Sequence, residues 1–108
     1  MDKRARIREL NDAFRRTLVG GRVMLTTGVD ALPAAEKAAV LEKVRTFDAF
    51  NCDIDPHGEH DFVSFKHESV KYFGKMDYYA LDMQNGSEDP ADPSQTIRVL
   101  TIMRADEY

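Results

Sequence analysis

Ten residues from Val70 to Tyr79 alternate without a break. Val70, Tyr72, Gly74, Met76 and Tyr78 fall on one side of an extended chain, and Lys71, Phe73, Lys75, Asp77 and Tyr79 on the other. One side is mainly apolar, while the other carries three charges and two aromatic rings. Phe62-Val63-Ser64-Phe65 precedes this run across Lys66-His67-Glu68-Ser69, so the two segments read as a β-hairpin. Its apolar side needs a covering layer, which the remaining chain has to supply.

Two helices are available for that layer. In residues 3–19, Ile7, Leu10, Phe14 and Leu18 recur at three- and four-residue steps, with Arg4, Arg8, Asp12, Arg15 and Arg16 largely outside the stripe. Gly20-Gly21 is expected to end this helix in a left-handed cap, with Arg15 and Arg16 complementing the dipole of its last turns. A second helix starts with Pro33 in its first turn and runs to about Phe47. It buries Val40, Leu41, Val44 and Phe47, and its alanines at 34, 35, 38 and 39 permit close packing. Between the helices Val23-Met24-Leu25-Thr26-Thr27 reads as a strand. Thr96 to Arg104, apolar on both faces, reads as a central, doubly covered strand. The loop from Asp82 to Gln95, with Gly86, Pro90 and Pro93, is long enough to be a candidate binding or lid loop. The expected architecture is a single α+β domain over residues 1–108. Two helices pack on one face of a mainly antiparallel four-stranded sheet, in the order α-β-α-β-β-β.

The net charge of −4 hides an asymmetry: residues 1–16 carry +3 and the rest −7. Acid-only blocks run from Asp48 to Asp61 and from Asp82 to Asp92. Such a body repels a phosphate backbone, so direct nucleic-acid binding is disfavoured, and the basic N-terminal helix reads as a solvated face. No apolar run approaches the roughly 20 residues that span a bilayer. The basic N-terminus has no apolar segment behind it, which argues against a secretory signal. The single Cys52 excludes an internal disulfide, suits a reducing cytoplasm, and reads as a plain small residue.

Chemistry concentrates in Asp53-Ile54-Asp55-Pro56-His57-Gly58-Glu59-His60-Asp61-Phe62, with four carboxylates and two histidines in ten residues. For a divalent metal the candidate ligands are His57, His60 and Asp55, with Glu59 or Asp61 as further oxygen donors. The histidines stand three apart around a glycine, unlike the four-residue spacing of a helical zinc motif. An EF-hand is rejected, because His57 falls at position 5, Ser64 stands where a bidentate glutamate belongs, and a strand follows. Without metal, Glu59 or Asp61 could orient His57 or His60 as a general base, making His57, Glu59 and His60 the catalytic candidates. Cys52 and Ser64 are the nearest nucleophiles in sequence. If residues 59–61 are already extended, alternation puts His60 opposite Glu59 and Asp61, and Asp77, Tyr78 or His67 would have to complete a site. The plainer reading is a polar turn: Asp55-Pro56 initiates it, Gly58 supplies a positive φ, and the acids cap backbone N–H groups. Tyr72, Tyr78 and Tyr79 suit core or interface packing better than base stacking.

Leu10-Asn11-Asp12-Ala13-Phe14-Arg15, Asp55-Pro56-His57-Gly58-Glu59-His60-Asp61-Phe62, Lys75-Met76-Asp77-Tyr78-Tyr79, Gly86-Ser87-Glu88-Asp89-Pro90 and Arg98-Val99-Leu100-Thr101-Ile102-Met103 occur in this order. Together they resemble a bacterial domain-of-unknown-function family, number 3768 in that series, from about residue 7 to Tyr108. The resemblance implies no activity, cofactor or catalytic residue. It does imply products of bacterial chromosomes and mobile elements, and hence a cytoplasmic accessory role. The first functional expectation is a small acidic module that binds a protein partner through Asp53, Asp55, Asp61, Glu88, Asp89 and Asp92. One version antagonises a nucleic-acid-binding protein, with carboxylates standing in for phosphates. The alternative is a small metal-dependent or His/Glu acid–base hydrolytic enzyme centred on residues 55–61. No cofactor is required by the sequence, a divalent metal is compatible with it, and so is a homo-oligomer.

Overall fold

A computed structural model describes residues 2–108. In chain order it contains α1 (Lys3–Thr17), β1 (Arg22–Leu25), a one-turn helix α2 (Thr27–Asp30), α3 (Ala34–Thr46), β2 (Phe62–His67), β3 (Val70–Tyr79), β4 (Ile97–Arg104) and a 3₁₀ turn, Ala105–Glu107. The strands form one sheet in the order β1-β4-β3-β2.

The hairpin forms, with Val63 opposite Gly74 and His67 opposite Val70. Its turn is shorter than the sequence suggests. Only Glu68 and Ser69 make it, both left-handed (φ 49° and 69°), and β2 therefore extends through His67. Two such residues give the turn a twist that matches the strands.

The mainly antiparallel sheet expected from the sequence is not what forms. The sheet is mixed: β1 runs parallel to β4, with Arg22 opposite Val99 and Leu25 opposite Ile102, while β4–β3 and β3–β2 are antiparallel. The order α-β-α-β-β-β also gains a helical turn, because Thr26 and Thr27 leave the strand. The Thr26 N–H bonds the Ile102 carbonyl, and Thr27 opens α2. β4 is the most evenly apolar strand, so burying both of its edges is favourable, and β1 fills the second edge.

α1 and α3 cover the face that carries Val63, Tyr72, Met76, Leu100 and Ile102, contributing Phe14, Val40 and Val44 to a common core. Gly74 lies beneath α3, where a Cβ would stand 2.7 Å from a Val63 methyl and 3.8 Å from Val44. α1 ends on Leu18 in the left-handed conformation (φ 59°), not on the glycine pair. Gly21 serves close approach instead, since a Cβ there would sit 2.5 Å from the Arg98 carbonyl oxygen. Arg15 is not on the solvated face either; it is buried along with Asn11.

Among the described residues the opposite sheet face carries no α-helix, only the 3₁₀ turn Ala105–Glu107 beside β3. Val99 and Met103 are nonetheless buried on it, so β4 is covered on both faces as its sequence implies. Tyr108 folds back over this face, its ring 5.7 Å from Phe73 and 6.1 Å from Phe62, with the Lys75 ammonium 5.9 Å from the same ring. Among the described residues no helix is long and apolar enough to cross a membrane.

Candidate functional site

The segment joining α3 to β2 builds its turns from its own polar groups. Asn51 Oδ1 accepts the N–H groups of Asp53 and Ile54, and the Asp55 carbonyl accepts that of Gly58. Gly58 takes φ 67° and His60 φ 56°, so residues 59–61 are not extended and the strand starts only at Phe62. Asp55 is 8% exposed, and its Oδ1 accepts the His60 N–H at 3.0 Å. These features match the polar turn read from Asp55-Pro56 and Gly58.

α1 then fastens the segment from the other side. His60 Nδ1 lies 2.8 Å from Asp12 Oδ1, its Nε2 is 3.7 Å from Asp55 Oδ2, and its ring stacks on Phe50 at 3.8 Å between centroids. Asn11 Nδ2 donates to the Glu59 carbonyl at 3.1 Å and to the Tyr78 hydroxyl at 2.7 Å; that hydroxyl donates onward to Glu59 Oε1. Asn11 Oδ1 accepts from Arg98 Nε at 2.8 Å, and the Arg98 guanidinium also reaches the Pro90 carbonyl. Arg15 donates to Asp12 Oδ1 and to the Phe47 carbonyl, each at 3.2 Å. Burial pushes the Tyr78 phenol well above its ordinary range and lowers both guanidiniums from theirs.

The network thus rests on Asn11, Asp12, Arg15 and Arg98, none of which the sequence nominates as functional. A signal was present for three of them, Arg15 included, since it stands four residues after Asn11 and three before Leu18. Asn11 completes the stripe Ile7, Asn11, Phe14, Leu18 at steps of four, three and four, and Arg98 is in phase with Leu100 and Ile102. A polar residue in phase with a core stripe is a buried polar residue in need of partners.

A concavity of about 610 Å³ lies where this segment meets the face without an α-helix, lined by Asp53, His57, Asp61, Phe62, Lys75, Asp77 and Tyr108 among others. Lys75 Nζ is 3.5 Å from Asp77, so three carboxylates face one lysine that is already paired. Burial raises the Asp61 carboxyl above the usual carboxylate range, and the charge of Glu59 adds to the shift.

The nominated residues therefore divide. Of the catalytic candidates, His57 is exposed on the concavity, Glu59 turns to Tyr78, and His60 turns to Asp12; the three do not converge. Of the metal candidates, His60 and Asp55 meet while His57 stays apart. Asp53 and Asp61 line the concavity. Glu88 is exposed in the 82–95 loop. Asp89 pairs with Lys3 at 3.6 Å, and Asp92 accepts hydrogen bonds from Ser94 and Gln95. That loop is tied down rather than free to act as a lid: Thr96 bonds the Asp89 carbonyl and the Ser87 hydroxyl, and Arg98 holds Pro90. Cys52 is an exposed free thiol. Tyr78 does complete the network, Asp77 lines the concavity, and His67 lies at the hairpin tip beside Glu36.

Residues 25–107 match a family described as "Protein of unknown function (DUF3768)". The match takes in the 53–61 segment and strands β2 to β4 but not α1, so the helical half of the buried network falls outside it. No curated protein and no solved structure matches the chain.

Proposed function

The chain belongs to the DUF3768 family of proteins of unknown function, and from that premise we propose that it acts by binding a protein partner. The surface used is the sheet face without an α-helix together with the acidic concavity at its end. One observation carries this reading. Asp55, Glu59 and His60 are consumed in internal hydrogen bonds, whereas Asp53, His57 and Asp61 remain on the concavity beside Asp77. Next to these acids the open face offers Met24, Tyr79 and Met83 around a second hollow of about 480 Å³, with Arg22 at its edge. An apolar centre with an acidic margin suits a partner whose own contact surface is apolar at its centre and basic at its rim. A nucleic-acid-binding protein has such a rim, and carboxylates placed against its phosphate-contacting cations would make this chain an antagonist. We assign that accessory role to the cytoplasm, where the exposed Cys52 thiol stays reduced.

The test is affinity capture with the full chain at low and high salt, repeated with the double variant Asp53→Asn, Asp61→Asn and with Met24→Asp. Partner binding is expected to weaken about fivefold or more in each variant, by ~1 kcal/mol of lost charge pairing in the double variant and by a carboxylate set into the apolar contact in Met24→Asp. It should also weaken as pH falls. Because the Asp61 carboxyl is raised, it takes up its proton above the ordinary carboxylate range, and the double variant loses that pH step. A partner retained equally by all variants at all salt concentrations would overturn the reading.

A second reading is favoured by one observation, the raised Asp61 carboxyl beside His57 in a concavity. Here the chain is a small acid–base or metal-dependent hydrolytic enzyme, with His57 and Asp61 at the reacting groups and Glu59 and His60 holding the segment. Hydrolysis of activated ester and phosphodiester substrates should then fall about a hundredfold or more in His57→Ala. Turnover equal in the two proteins removes this reading.

A further inference from the structure

We infer that Glu36, His67 and Glu68 form a zinc site at the tip of the β2–β3 hairpin, separate from residues 53–61. One ligand atom from each lies within 4.8 Å of the other two. His67 is the last residue of β2, held in register opposite Val70, and its Nε2 stands 2.5 Å from Glu36 Oε2 in the first turn of α3. Glu68 follows directly, placed by the left-handed turn at φ 49°.

The donor chemistry narrows the ion to the divalent transition metals, with Zn²⁺ the one put to the test. One imidazole with two carboxylates suits Zn²⁺, whereas Mg²⁺ and Ca²⁺ prefer all-oxygen shells. Two carboxylates also balance the charge of a divalent cation. With bonds of about 2.0–2.2 Å, tetrahedral donors sit roughly 3.3–3.5 Å apart. Glu68 is exposed, so its side chain can swing in to close the remaining gap and still leave a fourth position open to water. His67 and Glu36, at 13% and 35% side-chain exposure, are the better-fixed donors, and their 2.5 Å hydrogen bond must open to the tetrahedral spacing as the ion enters. The nearby lysines of α3 do not occupy the site: Lys37 pairs with Asp30, and Lys43 donates to the Lys66 carbonyl. Sequence spacing could not have revealed the set, because Glu36 and His67 are 31 residues apart and meet only when α3 lies on the sheet.

Zinc would replace the His67–Glu36 hydrogen bond, and because protons compete with the ion for imidazole and carboxylate donors, binding weakens as pH is lowered. It would also staple the first turn of α3 to the hairpin and raise the melting temperature. The experiment titrates ZnCl₂ into the metal-free full chain by calorimetry, with thermal unfolding followed in parallel. One equivalent is expected to bind and to raise Tm. Glu68→Gln, a surface change that leaves the fold intact, should weaken binding about tenfold or more, and His67→Ala should abolish it. His57→Ala and His60→Ala should bind as the parent does. Unchanged affinity in Glu68→Gln and His67→Ala, loss of binding in His57→Ala or His60→Ala instead, or no binding at about millimolar zinc would each overturn the assignment.

Discussion

Replacing Asn11 with alanine lowers the free energy of unfolding by about 3–5 kcal/mol. Asn11 is fully buried and makes three hydrogen bonds to three parts of the chain: Arg98 on β4, Tyr78 on β3, and the Glu59 carbonyl in the 47–61 segment. The bond from Arg98 is charge-assisted, and losing it leaves a guanidinium that is 3% exposed with the Pro90 carbonyl alone. The Glu59 carbonyl loses its side-chain donor at the same stroke. Urea unfolding followed by circular dichroism measures the loss directly. A change below about 1 kcal/mol would mean that water enters and takes over the work of the amide, so that α1 does not lock the sheet as described.

An effect of the same size, about 3–5 kcal/mol, is expected for Asp12→Ala. Asp12 Oδ1 receives both Arg15 Nη1 at 3.2 Å and His60 Nδ1 at 2.8 Å. Arg15 is 1% exposed and its Nε already has no partner, so without Asp12 a buried cation keeps one carbonyl, that of Phe47. The His60 ring remains stacked on Phe50 but loses its anchor on α1. The two variants should not add. Both loosen the 58–60 turn from α1, leaving Arg8 Nη1 on the Gly58 carbonyl as its remaining tie, so the double variant should cost less than the sum of the single ones by about 0.5–3 kcal/mol. Strict additivity would show that the Asn11 and Asp12 clusters act independently, despite their shared attachment to this turn.

How much of this was legible in the sequence follows from what local pattern can carry. The period-two run at Val70 to Tyr79 and the helical stripes around Phe14 and Val44 are properties of short windows, and each element formed close to its expected bounds. The parallel pairing of β1 with β4 is not such a property. It joins Arg22 to Val99, and nothing in either segment states its partner or direction. The doubly apolar pattern of β4 was a sound guide: the strand is internal to the sheet and residues on both of its faces are buried. At the candidate site, Asp55-Pro56 and Gly58 announced the turn, and the turn is there. The left-handed His60 could not be anticipated, because its conformation is held by Asp55 and α1. Arg15 was placed outside the stripe of Ile7, Leu10, Phe14 and Leu18, although its phase with Asn11 and Leu18 argued for the interior.

The strand at the centre of the sheet comes after both of the strands it joins. β1, at residues 22–25, waits for residues 99–102 before it has any partner. During synthesis, then, the hairpin and helices emerge with the middle of the sheet still missing, and the apolar faces of Val23 and Leu25 stand open. Closing a loop of that length is slow, so this chain should collapse late and all at once, and be most prone to aggregation just before β4 leaves the ribosome.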